Sequence, residues 1–271
     1  MKLAYPVLTP DAQSNAMAFC GDFYENIMKI KEYGYTGVEL LVRDIDYDDE
    51  PNIIRALEKE NLEVAAIGLN PVFSQDKLFL LSEDEKIRKQ AVERIKRIIY
   101  FAKKVKAPVL VGKFRGNTLN CGYEESMNIL AESFYNICSY AKLKGVRILI
   151  EPQSKAGIDN LNTVKETVDF IKLVGADNLG ILYDFFHGEI AEEIWLEAIE
   201  MGKETIGFIH CSDRERLVPG RGGMDIKAGI EKLFNIGYDG YISLEVKQLP
   251  NSLEVCRESQ KILTKIIASF T

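Results

Sequence analysis

The sequence predicts an α/β protein that folds as a single (β/α)8 TIM barrel. Three observations indicate this fold: eight short apolar runs recur along the 271 residues, a longer segment of helical periodicity follows each run, and no linker divides the chain. The apolar residues, 46% of the total, suffice for one large core, and barrels of this kind reach about 250 residues as one domain. We therefore expect one domain over residues 1–271, and an open, doubly wound sheet is the alternative that periodicity alone leaves.

The predicted strands are near-continuously apolar, which is typical of parallel strands that helices cover on both faces. In chain order they are Leu3–Val7, Gly37–Leu41, Val64–Leu69, Pro108–Gly112, Val146–Glu151, Leu179–Asp184, Ile206–Cys211 and Gly240–Val246. Because the strands are parallel, their carboxyl ends lie at one end of the barrel, where enzymes of this fold hold their chemistry.

Helical patterns fill the gaps between the strands. In residues 87–105, apolar side chains recur every three or four positions and so share one face of a helix. Ser82 and Glu85 match a capping box that would start this helix. Three glycines are predicted to end helices in the left-handed conformation: Gly34, Gly145 and Gly237.

Composition excludes several classes of function. The chain carries 34 Lys and Arg against 41 Asp and Glu, a net charge of −7, which disfavours binding to nucleic acid or to anionic membranes. No apolar run approaches the roughly 18 residues that cross a bilayer. Five cysteines contain no C-x-x-C pair, so we expect neither a disulfide framework nor a thiolate zinc site. Since Pro6 also interrupts the first apolar run too early for a signal peptide, we expect a cytoplasmic protein.

Four consecutive predicted strands end in a side chain that can bind a metal ion. These side chains are Glu151, Asp184, His210 and Glu245. Any one of them alone reads as an ordinary strand-end residue that meets solvent. Together they converge on the mouth of the barrel, and burial of each charge without a partner would be costly. Three carboxylates and one imidazole suit Mn²⁺, our first choice, or Co²⁺, Mg²⁺ or Zn²⁺.

Two polar side chains follow these ligands closely. His187 lies three residues after the second ligand, and Arg216 lies six residues after the third. Either residue could contact a substrate at the mouth. The alternatives are a packed loop imidazole for His187 and a solvated charge for Arg216.

Three further features have both a functional and a plain interpretation. The glycine-rich stretch 220–223 could cradle an anion with its backbone N–H groups, although it matches no complete phosphate-loop pattern. Asp225 precedes a helical pattern and is predicted to be an N-cap rather than a ligand. Lys113 and Arg115 follow the fourth strand, where they could hold a substrate carboxylate or phosphate, or form a simple pair of loop charges.

These residues make the sequence similar to the xylose-isomerase-like superfamily of sugar isomerases and epimerases. The matching stretches span nearly the whole chain: Ile150-Glu151-Pro152, Tyr183-Asp184 with His187, Ile209-His210 with Arg216, Pro219 to Asp225, and Leu244-Glu245. Within the superfamily the chain resembles ketose 3-epimerases most, and among these the epimerases of 5-keto-L-gluconate.

The resemblance implies one bound divalent metal, usually manganese or cobalt, and a keto sugar or keto sugar acid as substrate. It implies that the metal ligands are Glu151, Asp184, His210 and Glu245, with Glu151 and Glu245 also acting as catalytic acid and base. His187 and Arg216 are then substrate contacts, and we add Arg115 as a third. Relatives are often dimers or tetramers, so we expect a homo-oligomer.

The chain departs from the family pattern after the first ligand. Where the ketose epimerases continue as Glu-Pro-x-Asn and carry a second Glu six residues on, this chain has Ser154 and Gly157. The departure leaves the metal ligands intact and the sugar undetermined.

The expected reaction is removal of a proton between two metal-bound oxygens, through an enediolate, and its return to the other face to give a C3 epimer. The same site could instead run an aldose–ketose isomerisation or an inosose-type dehydration. A different class is a nuclease similar to apurinic endonuclease IV, which uses three metals. Only two histidines, with Lys227 where a further one would be expected, disfavour this class. A non-catalytic sugar-binding protein is the last alternative.

Overall fold

The chain forms a closed barrel of eight parallel strands. The computed structural model describes residues 1–13, 16–45, 49–192 and 194–270. Each strand pairs with the next along the chain, and the last pairs with the first. The strands are β1 (Lys2–Leu8), β2 (Gly37–Leu41), β3 (Glu63–Gly68), β4 (Val109–Val111), β5 (Ile148–Ile150), β6 (Leu179–Asp184), β7 (Ile206–His210) and β8 (Tyr241–Ser243). The TIM-barrel prediction is confirmed, and the open sheet is wrong.

Predicted and observed strands agree in number and order and differ at their ends. The largest difference is at β8, which was expected to continue to Val246. Leu244 still donates its N–H to Ala4 of β1, but the Val246 N–H donates to the Leu244 carbonyl, so the chain turns there. Glu245 therefore lies on this turn, just beyond the sheet.

Helices cover the outside of the barrel. They are α1 (Phe23–Glu32), α2 (Glu50–Lys59), α3 (Asn70–Asp76), α4 (Glu85–Val105), α5 (Tyr123–Lys142), α6 (Val164–Val174), α7 (Phe185–Ala191), α8 (Trp195–Met201), α9 (Ile226–Asn235) and α10 (Ser252–Ile267). None of these helices is both long and apolar enough to cross a membrane, as far as the described residues extend.

Most helix ends follow the sequence signals. Gly34, Gly145 and Gly237 have φ of +91°, +69° and +76°, as predicted for residues that end helices. Asp225 caps α9 by accepting a hydrogen bond from the Ala228 N–H, 2.9 Å away. The capping box at Ser82 is wrong: Asp84 caps α4 instead, and its carboxylate accepts the Lys86 N–H.

Two layers of apolar side chains hold the barrel. The larger layer lies between the strands and the helices and includes the stripe of α4 at Ile95, Ile98 and Ala102. A smaller cluster, which the strands alone supply, fills the interior. Its members are Ala4, Ala65, Ala66, Leu110, Leu149, Leu182 and Phe208. Because these side chains fill the barrel interior of the described residues, a ligand that approaches the strand ends must bind at the mouth.

Candidate metal centre

Four strand ends bring four potential ligand atoms together at the mouth of the barrel. Glu151 directly follows β5, Asp184 and His210 close β6 and β7, and Glu245 lies just past β8. One ligand atom from each residue lies within 4.8 Å of the other three. From His210 Nδ1, the distances are 3.5 Å to Glu151 Oε1, 3.7 Å to Asp184 Oδ2 and 3.4 Å to Glu245 Oε2. The predicted convergence is present, and this cluster could bind a metal ion.

The hydrogen bonding of the cluster fits a cation at its centre. Glu151 Oε1, His210 Nδ1 and Glu245 Oε2 are buried and have no hydrogen-bond partner among the described residues. Buried polar atoms without a hydrogen bond are rare in folded proteins, and one shared partner could satisfy three that face one another. A divalent ion would supply that partner, and this donor set of oxygen and imidazole nitrogen suits it.

Burial and charge act in opposite directions on the pKa values of this cluster. Burial lowers the pKa of His210, but the surrounding carboxylates, Glu39 and Glu245 foremost, outweigh it and hold that pKa well above its usual range. Burial raises the pKa of Asp184, yet Arg216 outweighs it and keeps that pKa well below its usual range. The cluster is therefore a concentration of negative charge, which a divalent cation would neutralise.

Hydrogen bonds from neighbouring groups orient two of the three carboxylates of the cluster. Asp184 Oδ1 accepts the N–H groups of Phe186 and His187 at the start of α7, which leaves Oδ2 to face the centre. Glu151 Oε2 accepts a hydrogen bond from the Gln153 side chain, 2.5 Å away. A Cβ on Gly112 would lie 2.6 Å from the same oxygen, so a larger residue there would require the Glu151 carboxylate to move.

Arg216 and His187 lie at the edge of the cluster, without joining it. Arg216 is 7% exposed, and its Nη1 lies 2.5 Å from Asp184 Oδ2. The same nitrogen lies 2.9 Å from Glu245 Oε2, in an ion pair that lacks hydrogen-bond geometry. The other terminal nitrogen, Nη2, is 3.0 Å from His187 Nε2. Burial lowers the pKa of Arg216, but Asp184 and Glu245 outweigh it, and the pKa is raised.

The loop that carries Arg216 is built around an internal anion. The Asp213 carboxylate accepts the backbone N–H groups of Arg214, Gly220 and Met224, at 2.8 to 2.9 Å. A Cβ on Gly222 would lie 2.5 Å from Asp213 Oδ1. Of these three donors Gly220 lies within the stretch 220–223, so that stretch helps to bind an anion, but the anion belongs to the chain itself.

Two consecutive residues of this loop have left-handed backbone conformations. Glu215 has φ of +56° and Arg216 has φ of +61°. Neither is glycine, so the surrounding structure must hold them there. The Asp213 contacts do so, and they turn the Arg216 side chain inward to the carboxylates.

The prediction that Arg115 contacts substrate requires correction. Arg115 is fully buried, and all five of its N–H groups donate to protein oxygens. Its acceptors are the side-chain and backbone oxygens of Asn160 and the carbonyls of Gly112, Glu151 and Leu161. Because a guanidinium has only five N–H donors, none remains for a ligand. Arg115 instead ties the loop after β4 to the loop after β5.

Lys113, unlike Arg115, lines the cavity above the cluster. It lines the space above the cluster together with Glu151, Gln153 and Asn70. A Cβ added to Gly157 would lie 3.2 Å from Lys113 Cε and 3.7 Å from Nζ. Lys113 therefore occupies the space beside the position where the ketose-epimerase pattern has its second glutamate.

Sequence reasoning missed one residue of this site. Glu39, in the middle of β2, is 2% exposed, and its Oε2 lies 2.9 Å from His210 Nε2. A signal was present, since a lone carboxylate within the apolar run Gly37–Leu41 is costly to bury unless it has a partner.

Comparisons with known proteins identify the family and support the fold. A family model described as the xylose isomerase-like TIM barrel matches residues 27–266. The D-psicose 3-epimerase of Agrobacterium fabrum is 26% identical over 227 residues, which cover 81% of this chain and 77% of the relative. The 3-dehydro-D-guloside 4-epimerase of Escherichia coli is 25% identical over 241 residues, which cover 82% of this chain and 88% of the relative. A solved structure of an L-ribulose 3-epimerase superposes with a TM-score of 0.83 at 18% identity, covering 98% of this chain and 95% of its own, and supports the fold.

Proposed function

Because the chain belongs to the xylose isomerase-like TIM barrel family of sugar epimerases and isomerases, we propose that it is a divalent-metal-dependent C3 epimerase of a keto sugar or keto sugar acid. The observation that carries the proposal is a pair of carboxylates, Glu151 and Glu245, each with a buried oxygen that accepts no hydrogen bond, which converge from the ends of β5 and β8 on one candidate cation position. Two such groups are what removal and return of one proton require.

The residues that would hold the cation are Glu151, Asp184, His210 and Glu245. When bound, a divalent cation supplies Lewis-acid stabilisation of the negative charge that develops on the substrate oxygens. Mn²⁺ is our first choice, with Co²⁺, Mg²⁺ and Zn²⁺ as alternatives, because the donors are mostly hard oxygens.

The two glutamates divide the proton transfer. Glu151 and Glu245 follow strands that flank the β6–β7 pair, and we propose that their carboxylates face the substrate from opposite sides. For one epimer the ionised Glu245 takes the C3 proton, and Glu151, which must enter the step protonated, returns its proton to the opposite face. In the reverse direction the roles and the protonation states exchange. Burial raises the pKa of Glu245, but Arg216 and His210 outweigh it and hold that pKa below its usual range. Glu245 is therefore ionised and able to accept a proton.

Arg216 and His187 are proposed to orient the substrate. Their contacting nitrogens, Arg216 Nη2 and His187 Nε2, lie 3.0 Å apart beside the cluster. The Phe186 ring lies below the guanidinium, 4.4 Å from its central carbon, and limits its movement. Substrate oxygens that reach this edge would meet a donor held in place before binding.

The charge of Lys113 favours a keto sugar acid over a neutral keto sugar as the substrate. No carboxylate of the described residues pairs with its ammonium group, which lies among the groups that line the cavity. With Gly157 beside it, the space holds a cation where the family pattern has an anion. An acidic group at the substrate end remote from C3 would complement that charge.

The decisive experiment compares Glu151→Gln and Glu245→Gln in D₂O with Mn²⁺ and with each C3 epimer. Glutamine keeps the size and one potential ligand oxygen but transfers no proton, so turnover should fall by about 10²–10⁴-fold in each variant. NMR should show that one variant still exchanges the C3 hydrogen of one epimer without inverting it. With the other epimer, the other variant should do so.

Metal content must be measured in both variants, because weaker metal binding would imitate lost proton transfer. If both lose exchange with both epimers while the metal is retained, the two-base mechanism is rejected and an isomerase or dehydratase is favoured. Elemental analysis of the wild type should give about one metal per chain; three zinc ions would favour the nuclease.

A further inference from the structure

Glu39 contacts the cluster from the opposite wall of the barrel. It belongs to β2, whereas His210 belongs to β7, and the two residues are 171 positions apart. Glu39 Oε2 lies 2.9 Å from His210 Nε2, and both side chains are buried. His210 is the one side-chain hydrogen-bond partner that the described residues offer to Glu39.

The local structure makes room for this contact. Gly68, on the neighbouring strand β3, has no side chain, and a Cβ there would lie 3.2 Å from Glu39 Oε1. On the other side, the Phe208 ring packs edge-on against the imidazole of His210, with centroids 5.7 Å apart. The carboxylate and the ring therefore each have a defined place.

The contact determines which nitrogen of His210 can bind a cation. A carboxylate only accepts hydrogen bonds, so Nε2 must carry the proton that it donates to Glu39. In neutral imidazole the other nitrogen, Nδ1, then presents its lone pair. Nδ1 is the atom that has no hydrogen-bond partner among the described residues and that faces Glu151, Asp184 and Glu245.

Glu39 itself is not placed to bind the same ion. The group of four residues with mutually close ligand atoms does not include it. The imidazole ring stands between its carboxylate and the cluster, because Glu39 contacts Nε2 and the cluster faces Nδ1. Its influence must pass through His210.

We infer that Glu39 is a positioning residue, which fixes the orientation and tautomer of His210 so that Nδ1 is available to the metal. The inference rests on the proposed function to the extent that the four-residue cluster is taken as its metal site. It assigns Glu39 no contact with substrate.

The test measures metal binding rather than turnover. Glu39→Gln keeps the shape of the side chain, but its amide can donate to Nε2 and so stabilise the wrong tautomer. Titration of the metal-free protein with Mn²⁺ alone should show affinity reduced by about 10–100-fold. Glu50→Gln is the matched control, since Glu50 is another buried carboxylate, paired with Lys104 outside the site. This control should bind Mn²⁺ like the wild type.

A second readout separates positioning from general damage. In the Zn²⁺-loaded wild type, the His210 Nε2–H proton should resonate far downfield because it is shared with a carboxylate, and Glu39→Gln should move it upfield. The chain has only two histidines, so His187→Gln identifies the signal. Wild-type Mn²⁺ affinity in a folded Glu39→Gln, or an unmoved resonance, would overturn the inference.

Glu39→Asp covers the case in which the glutamine variant does not fold. It keeps the charge but withdraws the carboxylate by one methylene, so Mn²⁺ affinity should fall less than in Glu39→Gln, and unchanged affinity would count against the inference. Failure of the proposed function looks different: the wild type would bind Mn²⁺ yet exchange no C3 hydrogen in any keto sugar.

Discussion

The loops after β4 and β7 each carry a buried arginine, and the two arginines differ in what surrounds them. Arg115 donates only to carbonyl and amide oxygens, and burial lowers its pKa to about 10. Arg216 faces Asp184 and Glu245, whose charges outweigh burial and raise its pKa. A buried arginine among neutral acceptors joins loops, whereas one among carboxylates belongs to the electrostatics of a site. The partners, and not the residue type or its place after a strand, separate the two roles.

Removal of Arg115 should give the largest effect. Arg115→Met keeps similar bulk but leaves five buried oxygens, those of Gly112, Glu151, Asn160 and Leu161, without their donor. Each unsatisfied buried acceptor costs about 1–3 kcal/mol, so the free energy of unfolding should fall by more than about 3 kcal/mol. Urea denaturation of the metal-free protein measures it. A fully stable variant with impaired substrate binding would restore Arg115 as a substrate contact.

Arg216→Lys should affect turnover far more than stability. Lysine keeps the charge beside Asp184 but loses the planar arrangement that also reaches His187. We expect turnover to fall by about 10²-fold, the weight of one oriented donor, with metal content and unfolding free energy close to wild type. His187→Ala should likewise retain its metal. Loss of metal from either folded variant would show that the assigned role is wrong.

Lys113 sharpens the comparison, because it shares its turn with Arg115 but faces the cavity. If Lys113 binds the acidic group of the substrate, Lys113→Met should raise the KM for a keto sugar acid by about 10-fold, the equivalent of one charge-assisted hydrogen bond. The KM for a neutral ketose should not change. Lys155→Met, at an exposed lysine on the next loop, is the control. Equal KM shifts for both substrates would contradict the proposal, and a larger effect on sugar phosphates would indicate a phosphorylated substrate.

The parts of the site that follow from strand order were predictable. Glu151, Asp184 and His210 lie at or next to the ends of parallel strands, which must meet at the same mouth, so their convergence required no knowledge of loops. Glu245 joins them from the turn just after β8.

The parts that depend on the path of the loops were not predictable. Arg115 finds three of its five acceptors on residues 160 and 161, and the glycine-rich stretch lies against the Asp213 carboxylate. Glu39 meets His210 across the whole width of the barrel. Local patterns contain the donors and acceptors of such contacts but not their pairing.

The left-handed backbone at position 216 affects the stability of variants with other residues at this position. A non-glycine residue held in that conformation costs roughly 1–2 kcal/mol relative to glycine, and Arg216 at φ +61° carries that cost permanently. Glycine there would relieve the strain while removing the guanidinium. Arg216→Gly should therefore be more stable than Arg216→Ala, although both lose the same function. Arg216 therefore makes its contacts with Asp184 and Glu245 from a strained backbone, and any replacement that relieves the strain also leaves those carboxylates without their cationic partner.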